Sequence, residues 1–338
     1  IILRTLNIRF ALYLKRLLGI ISPPKIVPFM GYGNQNLIYL KGGVLENRPE
    51  FDSKATDKRR RNFRIMLSRY LSSPIPEMNV QITLGEEMFT TQTDEYGYFS
   101  VWVEPKEAFM PGWHRVNYRI KGEDNEIYES EGEFLIVGQE AEFGTISDID
   151  DTILVSHATQ IFKKLRLIMT KNAKTRLPFE GVAEFYQNLR STGNPFFYVS
   201  SSEWNLYEFL QDFFRIRKIP KGPFLLQEYK SGLRDLLFTG GGSHQHKQDK
   251  IKRLMTLFPK LKFILIGDSG QRDTEIYCQA LHEFPNRILA VYIRKIGKKD
   301  DFDQKTSQEF KEKGVPLLLL ENTEEAVIHA KKMGFIAN

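Results

Sequence analysis

Two acids open the question of chemistry. Asp148 and Asp150 lie two residues apart in Asp148-Ile149-Asp150-Asp151-Thr152, which follows the apolar run Gly144-Thr145-Ile146-Ser147. Alternate residues of an extended chain point the same way, so both carboxylates can enter one cleft. Two close carboxylates repel each other, and a divalent cation relieves that repulsion. One acid can then attack phosphorus while the other moves a proton. Taken alone, the pattern is equally that of a capped turn with solvated acids.

Three further elements occur in a fixed order. Phe196-Phe197-Tyr198-Val199 ends in Ser200-Ser201-Ser202, whose hydroxyls can donate to a phosphoryl oxygen. Ser201 or Ser202 can also cap a helix that starts at Trp204. Lys247 follows Gly240-Gly241-Gly242 and opens a helical stretch, with Lys250 as the nearby alternative cation. Phe263-Ile264-Leu265-Ile266 ends in Gly267-Asp268-Ser269-Gly270-Gln271-Arg272-Asp273. Asp268 is a candidate metal carboxylate, and Asp273 can hold the lysine or join the metal. Nucleophile, proton carrier, cation ligands and charge clamp are together the needs of phosphoryl transfer. His244 and His246 do not make a structural zinc site, which needs about four ligands. The glycine run lacks the Lys-Ser/Thr of a nucleotide loop.

These residues need strands that end side by side. Residues 139–338 alternate short apolar runs with helical stretches, predicting a doubly wound, mostly parallel sheet. Helices are expected at 158–171, 181–190, 204–216, 247–257, 274–282 and 324–333. Ligands of such sheets sit beyond the carboxyl ends of the strands, where three of the four elements fall. Residues 26–138 have the period of two, as in Val80, Ile82 and Leu84 or Phe99, Val101 and Val103, and predict a small β-sandwich. Asp94-Glu95-Tyr96-Gly97 is its expected hairpin turn, and Trp102 and Trp113 its expected core. Residues 1–25 predict an amphipathic basic helix, with Leu3, Leu6, Phe10, Leu14 and Leu17 as its stripe. A second basic helix is expected from Asp57 to Leu71.

The chain has 338 residues, of which 41% are hydrophobic and 27% charged, which excludes a disordered or fibrous protein. Cys278 is its only cysteine, so an internal disulfide is excluded and a reducing compartment fits. No uncharged apolar run reaches the length of a membrane span. The first residue is Ile1, which suggests a truncated chain. The net charge is +6, while residues 1–78 carry 14 basic and 5 acidic residues, a balance of +9, leaving −3 for the rest. A basic N-terminal quarter suits anionic lipid, nucleic acid or a solvated face. No nucleic-acid motif or aromatic platform accompanies it.

The order and spacing of the motifs resemble the haloacid dehalogenase superfamily of aspartate-nucleophile phosphatases. More narrowly, SDIDDTILVS, YVSSSEWNLYEFL and HKQDKIKRLMTLFPKLKFILIGDSGQRDTEIY resemble the actin-patch-associated phosphatidate phosphatase family, a distant relative of the lipins. IVPFMGYGNQNLIYLKGGVL resembles the N-terminal part of its bacterial members. The resemblance implies Mg²⁺-dependent conversion of phosphatidate to diacylglycerol and phosphate. It implies Asp148 as nucleophile and Asp150 as general acid and base. Ser200 and Lys247 would hold the phosphoryl group, with Thr152, Ser201 and Ser202 on the substrate side. Asp148, Asp150, Asp268 and Asp273 would surround the metal. The expected partners are a lipid phosphate and, peripherally, an anionic membrane on its cytoplasmic face. The alternatives are a phosphatase for a soluble or protein phosphomonoester and a lipid-binding module without catalysis. Glu203, before Trp204, departs from the family pattern and bears on substrate choice.

Overall fold

The computed structural model describes residues 23–47, 74–122, 125–149, 180–190, 193–227, 245–270, 272–296 and 304–337. The basic helix expected at 57–71, the helix expected at 158–171 and residues 1–22 of the basic helix expected at 1–25 lie outside the described residues, while Pro24 and Lys25, expected at that helix's end, open a strand instead. The described residues fall into two compact units that divide after Gly138.

The first unit is one seven-stranded sheet, ordered β4-β3-β6-β7-β1-β2-β5. Its strands are β1 (Pro24–Gly33), β2 (Ile38–Glu46), β3 (Asn79–Leu84), β4 (Glu87–Gln92), β5 (Tyr98–Val103), β6 (Gly112–Lys121) and β7 (Ile127–Ile136). β1 joins what would otherwise be two layers. Pro24 to Phe29 ladder antiparallel with β2, and after a register shift Tyr32 and Gly33 still pair with β2 while Gly31 to Gly33 also pair parallel with β7 on the other side. Hydrogen bonding is therefore continuous where a two-sheet sandwich would be interrupted. The inward residues follow the expected alternation: Val80, Ile82, Leu84, Val116, Tyr118 and Ile120 are among those buried in its core.

Two expectations fail in this unit. Asp94 to Gly97 is a tight turn, with Asp94 Oδ1 accepting from the backbone of Tyr96 and Tyr98. It joins β4 to β5, however, and these strands stand at opposite ends of the sheet order and form no ladder. A hairpin does form just before it, at the two-residue Gly85-Glu86 link between β3 and β4, with Gly85 at φ +61°. Trp102 is not core but 41% exposed, because it alternates with the inward Val103. Trp113 is half-buried.

The second unit holds a six-stranded, wholly parallel sheet, ordered β10-β9-β8-β11-β12-β13. Its strands are β8 (Phe143–Ser147), β9 (Phe196–Glu203), β10 (Phe224–Gln227), β11 (Lys262–Asp268), β12 (Ile288–Arg294) and β13 (Leu317–Leu320). They are near-continuous apolar runs, as strands covered on both faces require. The helices are α1 (Val182–Arg190), α2 (Tyr207–Ile216), α3 (Gln245–Leu257), α4 (Asp273–Glu283), α5 (Gln304–Glu312) and α6 (Thr323–Lys332). Right-handed crossovers put α1 and α2 on one face and α3, α4 and α5 on the other. The chain runs outward from β8 to β10, then returns to β11 on β8's other side. That reversal opens a crevice at the carboxyl ends of β8, β9 and β11.

α5 was not legible in the sequence. Gln304-Lys305-Thr306-Ser307-Gln308-Glu309-Phe310-Lys311-Glu312 contains one large apolar residue, Phe310, and so has no stripe to detect. Phe310 is 1% exposed, and that single anchor docks the helix.

Candidate active site

Asp148 is the first residue past β8, and its backbone N–H still donates to Ile266 of β11 at 2.8 Å. The strand ladder thus extends to the site and fixes where the Asp148 side chain begins. Ser147, one residue earlier, donates its hydroxyl to the Asp148 carbonyl at 2.7 Å. Its oxygen lies 2.8 Å from the hydroxyl of Tyr186 on α1. Ser147 has one proton and gives it to the carbonyl, so Tyr186 is the donor to Ser147. Burial holds the Tyr186 phenol above its ordinary range, and it stays neutral.

Lys247, on the first turn of α3, bridges two of the acids. Its Nζ is 2.8 Å from Asp148 Oδ1 and 2.8 Å from Asp273 Oδ1. All three residues are buried, Asp148 and Lys247 at 2% and 3% exposure and Asp273 at 0%. Burial by itself lowers the lysine's pKa, but Asp148 and then Asp273 more than reverse it and hold it raised. The lysine is therefore charged at every working pH. Lys250 takes the Leu226 carbonyl instead. The geometry thus separates the two cations that sequence left as alternatives.

Asp273 is the first residue of α4, where unpaired backbone N–H groups favour an anion. Its Oδ2 accepts from the Asp268 backbone N–H at 3.1 Å. Both oxygens therefore face protein donors. Gly267 makes this approach possible: a Cβ there would lie 2.6 Å from Asp273 Oδ2. Asp268, the last residue of β11, is fully buried and its Oδ1 accepts from Gly270 at 2.7 Å. Carboxylate oxygens of Asp148, Asp268 and Asp273 all lie within 4.8 Å of one another. Three acids against one lysine leave an excess of buried negative charge. That donor set, all oxygen, fits a hard divalent cation.

Ser200 is buried within β9, and its hydroxyl oxygen accepts from Ser202 N–H at 2.9 Å. Neither Ser201 nor Ser202 caps the following helix, whose N-cap is Glu203 and carries no side-chain bond. The strand runs on to Glu203, so both serines belong to β9 and are half-buried. His246 places a ring nitrogen 3.3 Å from the Ser200 carbonyl and ties the start of α3 to β9. Asp150, Asp151 and Thr152, like Gly240 to Gly242 and His244, lie outside the described residues.

Two residues of this neighbourhood escaped sequence reasoning. Tyr277 on α4 donates its hydroxyl to the Ile266 carbonyl at 2.8 Å. Burial, then the charges of Asp273, Asp148 and Asp268, push its phenol well above the ordinary range. Arg294 ends β12 in register with Asp268. No spacing rule points to either, because their proximity depends on strand order.

The fold and site define an α/β protein with a buried carboxylate–lysine cluster at the switch point of a parallel sheet. Residues 143–295 match the family described as phosphatidate phosphatase APP1, catalytic domain. The chain also resembles two proteins at the level of sequence. It is 30% identical over 237 residues to the phosphatidate phosphatase APP1 of Saccharomyces cerevisiae, covering 67% of this chain and 39% of the yeast protein. An uncharacterized protein of Schizosaccharomyces pombe is 27% identical over 155 residues, covering 45% of this chain and 25% of that protein. The chain thus spans well under half the length of either relative. Among solved structures, a HAD family hydrolase from Deinococcus radiodurans with bound phosphate and sodium aligns at 13% identity. It covers 58% of this chain and 99% of that one, and its TM-score of 0.35 carries no weight.

Proposed function

We propose that the chain is a Mg²⁺-dependent phosphatidate phosphatase, releasing phosphate and diacylglycerol through a phosphoaspartate on Asp148. Its second unit, 139–338, is on this reading a haloacid-dehalogenase-like catalytic domain. Residues 26–138 form a sandwich-like accessory domain, preceded by a basic amphipathic segment. The observation that carries the proposal is the buried Lys247 held between Asp148 and Asp273 beside Asp268. The family match over 143–295 supplies the substrate class.

In this mechanism a carboxylate oxygen of Asp148 attacks phosphorus, and the P–O bond to the glycerol oxygen breaks. Asp150, the family's general acid, gives that oxygen its proton. Asp150 then takes a proton from water, whose oxygen attacks phosphorus and frees Asp148 with inorganic phosphate. Lys247 and the Ser200 hydroxyl offset charge on the phosphoryl oxygens. Lys247 also keeps Asp148 from swinging out of line. Thr152, Ser201 and Ser202 line the substrate side. Asp148, Asp150 and Asp268 would hold a Mg²⁺, which would lower repulsion between the carboxylates and the incoming phosphate. Asp273 has both oxygens on Lys247 and the Asp268 backbone, so we assign it to positioning rather than ligation.

Among the described residues no helix is long and apolar enough to cross a membrane. The proposed approach to substrate is peripheral, on anionic lipid of the cytoplasmic face, through the basic segments 1–25 and 58–69. Each basic residue near such a surface contributes about 1 kcal/mol. Phosphate release from phosphatidate in mixed micelles with Mg²⁺, beside a soluble aryl phosphate, tests the reading. Wild type is expected to hydrolyse phosphatidate, and Asp148→Asn to release none. Turnover of the aryl ester alone would discard the lipid substrate. Turnover of neither would favour the lipid-binding module.

A further inference from the structure

α4 carries a second set of chemistry-bearing residues away from Asp273. Cys278 and His282 are four residues apart and so share one helix face. Opposite them stands Glu309 of α5. Its Oε2 lies 2.7 Å from Cys278 Sγ and 2.9 Å from His282 Nε2. One ligand atom from each of the three side chains falls within 4.8 Å of the other two. The proposed phosphatase chemistry uses none of them.

We propose that Cys278, His282 and Glu309 form a second metal site, selective for a borderline transition cation of the Zn²⁺ class. Thiolate, imidazole and carboxylate are together a zinc-type donor set, and three protein ligands leave a fourth position for water. Mg²⁺ takes oxygen donors and keeps its waters, so it has no claim on sulfur and nitrogen. The chain thereby sorts metals by donor chemistry: a hard ion at the oxygen cluster, a softer one here.

The geometry permits loading. Around a tetrahedral ion with bonds of about 2.0–2.3 Å, ligand atoms stand roughly 3.3–3.5 Å apart. The two hydrogen-bond distances need to open by less than about 1 Å, the scale of a small side-chain rotation. His282 and Glu309 have side chains 53% and 24% exposed, which gives an ion a route from solvent. Cys278, 8% exposed, forms the floor. The Glu309 carboxyl is held below its ordinary range, first by the Cys278 hydrogen bond and then by His282, and is ready as an anion. Binding releases the Cys278 thiol proton to solvent and leaves His282 neutral. Lys305, 3.9 Å from Glu309 Oε1 and 87% exposed, is free to swing into water. An ion here would fasten α4 to α5, and α4 is the helix whose first residue is Asp273.

The full chain, reduced and in excess Mg²⁺, is titrated with Co²⁺ as a spectroscopic stand-in for Zn²⁺. The expected result is a thiolate-to-cobalt charge-transfer band that saturates at one equivalent. Zn²⁺ should abolish it, and further Mg²⁺ should not. Cys278 is the only cysteine of the chain, so such a band can arise from no other residue. His282→Gln and Glu309→Gln are each expected to weaken Co²⁺ binding at least tenfold, and Cys278→Ser to remove the band. Circular dichroism of the two partly exposed variants confirms folding. Absence of the band in the folded chain overturns the proposal. A band with unchanged affinity in both Gln variants, or one lost to Mg²⁺, also overturns it. None of these readouts depends on phosphate release, so the result is separable from the fate of the phosphatase reading.

Discussion

Replacing Lys247 by Met tests the site most directly, because it keeps the length of the side chain and removes only the charge. Each 2.8 Å contact to Asp148 and Asp273 is gross about 6 kcal/mol at an effective dielectric of about 20. Removing three charges from water takes back most of that sum. What the variant exposes is the remainder, two buried carboxylates facing each other and Asp268 without their cation. Breaking a buried pair in this way costs about 3–5 kcal/mol. Urea unfolding in EDTA, followed by circular dichroism, is expected to show a loss of that size. Mg²⁺ should narrow the gap, since the variant's cluster is more negative and gains more from a divalent cation. Phosphate release should fall by about 10²-fold or more even at saturating Mg²⁺, as expected when one oxyanion-stabilising group is lost. A stability loss below about 1 kcal/mol, or one that Mg²⁺ leaves unchanged, would refute the charge argument.

Three other outcomes follow from particular contacts. Gly267→Ala should cost about 1–3 kcal/mol, because its Cβ would meet Asp273 Oδ2 and Tyr277 Oη and force both to shift; phosphate release measured alongside should drop with every carboxylate still present. Tyr186→Phe removes the donor to Ser147 and should cost about 1 kcal/mol in urea unfolding, with a smaller effect on Mg²⁺ affinity. His329, whose Nδ1 lies 2.9 Å from the Tyr292 hydroxyl, is held below its ordinary 6.5 first by burial and then by Lys332. In the interval between the folded value and 6.5 the unfolded chain binds a proton that the folded chain does not. Its contribution is therefore complete above 6.5 and lost as pH falls through the folded value. Unfolding midpoints at about pH 7.5 and about pH 5.5 should lie closer together in His329→Gln than in wild type; equal gaps in the two proteins would remove His329 as the cause.

The parallel sheet was legible because its strands are short apolar runs between helical stretches, a pattern produced by burial on both faces. Trp204, Tyr207, Phe209 and Phe213 recur near helical spacing, which predicts a core-facing stripe, and all four are buried. α5 was not legible, since one Phe310 makes no period. The first unit shows the limit of periodicity more sharply. A period of two places Val103 inward and Trp102 outward once the phase is known, but nothing local sets the phase. Nor does it say whether seven strands form two sheets or one. That was decided by β1, which pairs with β2 along one edge and, at its last residues, with β7 along the other.

By itself the sequence determined which residues could do chemistry, because Asp148, Ser200, Lys247, Asp268 and Asp273 are each marked by a strand end, a helix start or a motif. Only the tertiary structure decided what they do to one another. Strand order put β8 between β9 and β11, and that juxtaposition brought Lys247 to two carboxylates more than twenty residues away in either direction. It also set Asp273 against Lys247 and the Asp268 backbone, across a glycine too small to obstruct it. Cys278, His282 and Glu309 met by the same means, through the packing of two helices of which one left no signal. Charge and hydrogen bonding act over a few ångströms, and which groups come within that range is set by the packing of strands and helices, not by their order along the chain.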